Sequence, residues 1–313
     1  MTVPILKPPA VGAGAQVAII APASSARVER IDSGMSALKE LGYNVIEGKH
    51  LRGRASHYFS GTLEERLQDL HNAFADPEIA AIFCSRGGYG SNYLLEGLDL
   101  DLIRHNPKPL FAYSDLSVLQ TWLLDKIGLI SFHGPMAAAD FSREGGVHHS
   151  SFNAAITGGM ASLGAAEGLR TLRPGTTAGA LYGGCLSMIV SSLGTPFAAE
   201  TEGKLLFLED VNVKPYQIDR MLRQMILAGK LDRVKGIVFG EMQDCASEPG
   251  QLESVLLRVL ERFEGPIGFG LRSGHVSRSN ITLPFGIDAE LDLKANGNDA
   301  GARLRFLEPA VRN

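Results

Sequence analysis

Over the first 135 residues, short apolar runs alternate with stretches of helical period, and few folds accommodate that rhythm. The apolar runs are 16–23, 43–46, 79–84, 110–113 and 128–135; between them, 28–41, 62–75 and 116–124 repeat apolar residues at helical spacing. Thr62 followed three residues on by Glu65 is a capping-box signature that starts the second helix. Strands that are apolar along their whole length are buried on both faces, and helices returning between them make neighbours parallel. The pattern predicts an α/β fold with a doubly wound parallel sheet.

After Asp140 the character changes. Residues 158–177 are rich in small side chains and weakly periodic, the composition of an interdomain segment. Beyond it, strands are expected at 177–181, 204–208, 236–240 and 302–307, a turn-separated pair of strands within 281–293, and helices at 216–228 and 251–263. The expected division is an N-terminal α/β domain over 1–160, a linker over 161–178, and a smaller β-rich domain with a curled sheet over 179–313. A chain of 313 residues is long enough for two cores.

Composition removes several classes of function. With 34 acidic against 30 basic residues, the net charge is -4 and the pI near 6.1, so no basic footprint for nucleic acid exists. No apolar run reaches the length of a bilayer span, and residues 1–15 lack the apolar core of an export signal. Three cysteines, Cys84, Cys185 and Cys245, are odd in number and lack metal spacing, which suits a reducing compartment. The expectation is a cytoplasmic protein that associates with neither membrane nor nucleic acid.

Chemistry concentrates where the period changes. The apolar run ending at Tyr113 gives way at Leu116 to helical spacing, so Ser114 and Asp115 occupy a tight strand-to-helix turn. Such a turn lifts a hydroxyl to the carboxyl edge of a sheet and aims helix amides at what it attacks. Both residues are also favoured helix caps, and the turn alone leaves the two roles open. Arg86-Gly87-Gly88-Tyr89-Gly90 directly follows a strand. Its glycines let the backbone approach a ligand and its free amides form an anion nest, although a plain tight turn has the same composition. It lacks the dinucleotide spacing, so no cofactor is expected. Glu209 and Asp210 end a strand, and His275 lies in a loop after Gly270. His133, His148 and His149 match no metal-ligand spacing, and no metal is expected. Cys84 has the apolar neighbours of a core cysteine.

Taken together, these stretches resemble the LD-carboxypeptidase family of serine peptidases over nearly the whole chain. The resemblance rests on 17–22, Arg86-Gly87-Gly88-Tyr89-Gly90-Ser91, Tyr113-Ser114-Asp115-Leu116 and Phe132-His133-Gly134-Pro135-Met136. It continues through Leu193-Gly194-Thr195-Pro196, Leu206-Phe207-Leu208-Glu209-Asp210-Val211, 215–222 and Gly274-His275. It implies a catalytic Ser-His-Glu triad of Ser114, His275 and Glu209, an oxyanion hole from the amides of Gly88 and Asp115, and substrate contacts from Arg86, Gly87 and Tyr113. It further implies a β-barrel-like C-terminal domain with helices, a homodimer, and release of the terminal D-alanine from murein tetrapeptides in cytoplasmic peptidoglycan recycling. Two alternatives share the scaffold: a microcin-immunity-type hydrolase of aminoacyl-nucleotide amides, and a non-catalytic binder of peptidoglycan fragments. The sequence departs from the family pattern at Ala112, Asn212, Val213 and Arg272-Ser273.

Overall fold

The computed structural model describes residues 3–53, 57–294 and 301–312. Its first half runs β1 (Gln16–Ile20), α1 (Val28–Glu40), β2 (Asn44–Glu47), α2 (Leu63–Ala75), β3 (Ile79–Cys84), α3 (Leu100–His105), β4 (Leu110–Ala112), α4 (Ser117–Ile127) and β5 (Ser131–His133). These strands form a parallel sheet in the order β2-β1-β3-β4-β5. That is a doubly wound order, and it reverses direction between β1 and β3. Register partners Phe83, Phe111 and Phe132 stack their rings across β3, β4 and β5 with centroids 4.6 and 4.9 Å apart. Such pairs add about 0.5–1.5 kcal/mol each beyond area burial. Helix α2 starts as its capping box predicts: Thr62 Oγ1 accepts from the Glu65 amide at 3.2 Å, and Glu65 accepts from the Thr62 amide at 2.8 Å.

The second half runs α5 (His149–Thr157), β6 (Ser162–Gly164), β7 (Arg170–Arg173), β8 (Gly175–Cys185), α6 (Leu186–Ser191), β9 (Leu205–Glu209), α7 (Pro215–Leu227), β10 (Gly236–Gly240), α8 (Gln251–Val259), β11 (Ile267–Leu271), β12 (Leu283–Phe285), β13 (Asp288–Leu293) and β14 (Arg303–Phe306). Eight of its strands form a second sheet, β6-β14-β13-β8-β9-β10-β11-β7. The centre, β8 to β11, is parallel, and antiparallel strands flank it.

One expectation needs revision. Segment 161–178, read as a linker, carries β6, β7 and the start of β8. Its glycines dilute the apolar signal, and both complete strands are short edge strands whose pairing comes from sheet neighbours. The turn-separated pair expected within 281–293 is present as β12 and β13, but its strands part company: β12 joins the first sheet, antiparallel to β5, while β13 pairs with β8 in the second. Gly286, at φ +95°, turns the chain between them. Pro284 fits β12 because an edge strand has a side that needs no amide donor.

The halves are therefore stitched. β12 closes the first sheet with chain from beyond the second, and one apolar core runs from Val17, Phe111 and Phe132 to Leu181, Phe207 and Ile237. Polar contacts reinforce the seam. Ser117 Oγ accepts from the Cys185 amide at 2.9 Å, and the Tyr182 hydroxyl donates to Asp125 at 2.7 Å.

Candidate active site

The strand-to-helix turn forms as its sequence suggests, with a strained residue at its tip. Tyr113 is extended at φ -162°, and Ser114 sits at φ +66°, a left-handed conformation that costs a non-glycine residue about 1–3 kcal/mol. A single 3₁₀ turn over Ser114–Leu116 then leads into α4. Neither Ser114 nor Asp115 accepts a side-chain hydrogen bond from the first turn of α4. Asp115 instead faces back, taking the Ser91 amide at 2.8 Å, while the Ser91 hydroxyl donates to the Asp115 carbonyl at 2.5 Å. The capping alternative is removed, and Ser114 Oγ is left at the carboxyl edge of the sheet.

The loop after β3 closes over this turn. A Cβ on Gly87 would stand 2.8 Å from Ser114 Cβ and 3.1 Å from its Oγ, so only glycine permits the approach. Ser24, after β1, ties the loop down: its amide donates to the Gly87 carbonyl at 3.3 Å and its hydroxyl accepts from the Tyr89 amide at 3.0 Å. Among the described residues, the amides of Gly88 and Asp115 have no hydrogen-bond partner.

His275 arrives from the other sheet, on the loop that carries the chain from β11 across to β12. Its Nδ1 lies 2.8 Å from Glu209 Oε2, and its own amide donates to the same oxygen at 3.0 Å. Gly274, at φ +88°, makes this possible, because a Cβ there would stand 2.5 Å from Glu209 Cδ. Glu209 ends β9 and is fully buried. Burial alone would raise its pKa; the charge and hydrogen bond of His275, with His133 also close by, outweigh that and hold it well below the usual carboxylate range. For His275, burial opposes the charged ring, but Glu209 prevails and the pKa rises above the ordinary 6.5. With Nδ1 donating to Glu209, Nε2 is the nitrogen left to accept a proton.

Behind this pair stands His133, which sequence reasoning weighed only as a metal ligand. Fully buried at the end of β5, it directs Nε2 at Glu209 Oε1 across 3.8 Å, beyond hydrogen-bonding distance. Its Nδ1 lies 3.0 Å from Ser273 Oγ, which donates to the Ile281 carbonyl at 2.8 Å. Tyr113 packs edge-on against His275 with centroids 5.2 Å apart. Its hydroxyl reaches buried Asp140 at 3.5 Å, and Asp140 also takes the Met136 amide and Arg143.

Ser114 and His275 line one cavity of about 390 Å³, shared with Arg86, Gly87, Gly88 and Tyr113. No hydrogen bond joins the two directly. The cavity opens at the carboxyl ends of β1, β3, β4 and β5, astride the point where strand order reverses, the place where open α/β sheets bind ligands. Sequence reasoning missed two further residues lining it, Arg27 and Arg30. Their signal was topological, since they follow β1 just as Arg86 follows β3. A larger cavity, about 570 Å³ beside α7 and α8, contains none of these residues and no nucleophile. Among the described residues no three metal-ligating side chains converge. The arrangement of a strained hydroxyl, an imidazole backed by a buried carboxylate, and free amides suits acyl transfer through a serine nucleophile.

Comparison with known proteins points the same way. Residues 17–134 match the LD-carboxypeptidase N-terminal domain and residues 178–291 the LD-carboxypeptidase C-terminal domain. The chain is 38% identical over 294 residues to a probable murein peptide carboxypeptidase of Bacillus subtilis, covering 91% of each. It is 32% identical over 303 residues to the murein tetrapeptide carboxypeptidase of Pseudomonas aeruginosa, covering 93% of this chain and 95% of that one. An MccF-like protein from Bacillus anthracis superposes with a TM-score of 0.89 at 26% identity, covering 97% of this chain and 99% of that one. With both family domains matched in order across most of its length, the chain belongs to the LD-carboxypeptidase family.

Proposed function

We propose that this protein is a serine carboxypeptidase that hydrolyses the peptide bond before the terminal D-alanine of murein tetrapeptides. We place it, on the same reading, in cytoplasmic peptidoglycan recycling as a homodimer. In the mechanism, His275 Nε2 takes the Ser114 proton as Oγ attacks the scissile carbonyl. Glu209 holds the productive tautomer and stabilises the imidazolium. The Gly88 and Asp115 amides receive the oxyanion, each such donor contributing about 3 kcal/mol to the transition state. His275 then protonates the leaving nitrogen of D-alanine, and water, activated by the same imidazole, releases the acyl group from Ser114. Arg86, beside Gly87, takes the terminal carboxylate, and Tyr113 packs against the imidazole and the substrate.

One observation carries this reading: a left-handed Ser114 and a Glu209-backed His275, brought from different sheets, line the same cavity. The aminoacyl-nucleotide alternative lacks a corresponding support in the cavity, because Trp122 on α4, which could stack on a base, packs instead against Phe197 and does not line it. The test is incubation with a murein tetrapeptide followed by mass spectrometry. Free D-alanine is expected from the wild type, with turnover lower by ~10⁴-fold in Ser114→Ala. The C-terminal amide should react at least ~10-fold more slowly than the acid. Undiminished release by Ser114→Ala, or preference for an L-alanine terminus, would remove the proposal.

A further inference from the structure

The cavity is more basic than the molecule around it. The whole chain carries a net charge of -4, yet Arg27, Arg30 and Arg86 line the cavity and no carboxylate does. Elsewhere Arg52, Arg143, Arg170 and Arg258 are each paired with an acid. Among the described residues, the three cavity arginines have no such partner. Among the described residues the Arg27 side chain makes no hydrogen bond, and the Arg30 side chain uses only Nη1, donating to the Ser142 carbonyl and hydroxyl at 3.2 and 3.4 Å. Like charges gathered along one cleft repel one another and create a potential that an anion relieves.

The three are also divided between two places. Arg86 follows β3 and curls beside Gly88, its Nη2 3.4 Å from where a Cβ on Gly88 would lie. Arg27 and Arg30 follow β1, one turn apart at the start of α1. A single carboxylate has two oxygens and is satisfied by one guanidinium fork. A substrate with one anionic group would leave the pair on α1 idle.

We propose that Arg27 and Arg30 form a second anion subsite, which binds another carboxylate of the same substrate while Arg86 reads the chain end. This rests on the carboxypeptidase reading of the site. Murein tetrapeptides offer that chemistry from two sources: the α-carboxylate of the γ-linked D-glutamyl residue, and the side-chain carboxylate of a diamino acid at the third position.

The experiment compares four tetrapeptides, with both carboxylates free, either one amidated, or both amidated, using wild type and the double variant Arg27→Gln/Arg30→Gln. Both arginines are exposed, so the variant should fold, and circular dichroism checks this. One amidation should lower wild-type kcat/KM by ~10-fold or more, mainly through KM, and the double variant should lose a similar factor on the free acid. The two losses should not add, and the amidation that abolishes the difference identifies which carboxylate is held. Equal losses by the variant on all four peptides would overturn the proposal. If the wild type cleaves none of them, the carboxypeptidase reading fails on its own, and calorimetry with glutarate decides the subsite. Saturable binding weakened ~10-fold or more in the double variant keeps it; absent or unaltered binding removes it.

Discussion

At the scale of single residues, adjacent acids have opposite assignments. Glu209 faces His275, whereas Asp210 accepts the Ser187 amide at 2.8 Å and the Val211 amide at 2.9 Å and so holds the start of α6. In the proposed triad an amide at 209 can hold the wrong imidazole tautomer. Glu209→Gln should therefore lower turnover ~10⁴-fold, and Asp210→Asn less than ~10-fold. The reverse order in steady-state kinetics would remove Glu209 from its role. Only neutral His275 can accept a proton, and its pKa is raised above 6.5, so kcat/KM should fall on the acid side with a midpoint above that value. By NMR titration, Glu209→Gln should move the His275 midpoint down, because the carboxylate that favours the cation is gone. An unchanged midpoint would show that Glu209 does not set it.

At the scale of elements, the site depends on two loops folding against one turn. The loop after β3 approaches Ser114 so closely that one methyl group has no room, since the nearest atoms are Ser114 Cβ at 2.8 Å and Oγ at 3.1 Å. Gly87→Ala should cost about 1–3 kcal/mol of stability in urea denaturation, the usual penalty of overpacking. Turnover of the folded protein should fall as well, ~100-fold, because a displacement near 1 Å misaligns the nucleophile. Wild-type turnover in a folded Gly87→Ala protein would mean the loop is not part of the site. The period change at Leu116 made the β4–α4 turn legible in the sequence. Which side chain that turn would present was not legible, because serine and aspartate cap helices as readily as they serve chemistry. The Asp115–Ser91 contact decides it, and it joins residues 24 positions apart.

At the scale of the whole molecule, Glu209 on one sheet and the loop leading to β12 on the other are joined by an ion pair whose strength depends on pH. Glu209 has a folded pKa below its ordinary 4.5, so its stabilisation is present above 4.5 and lost as the pH falls through the folded value. The folded pKa of His275 is raised above 6.5, so its stabilisation is present below 6.5 and lost as the pH rises through the folded value. The contribution of the pair is complete between pH 4.5 and 6.5. The stability gap between wild type and His275→Gln, measured by urea unfolding, should be widest there. A gap independent of pH would mean that the pair adds no charge-dependent stability. By itself the sequence determined the parallel sheet, the positions of its strands and the turn at Ser114, since these follow from local periodicity and turn chemistry. Only the tertiary structure decided that β12 leaves its neighbour β13 for the first sheet, and that the short β6 and β7, with one leucine each, are strands at all. Only it revealed His133 behind Glu209 and gathered Arg27, Arg30 and Arg86 around one cavity. The physical reason is common to all of these: pairing partners, burial and the summed field of separated charges depend on residues far apart in the chain, and no local pattern encodes their meeting.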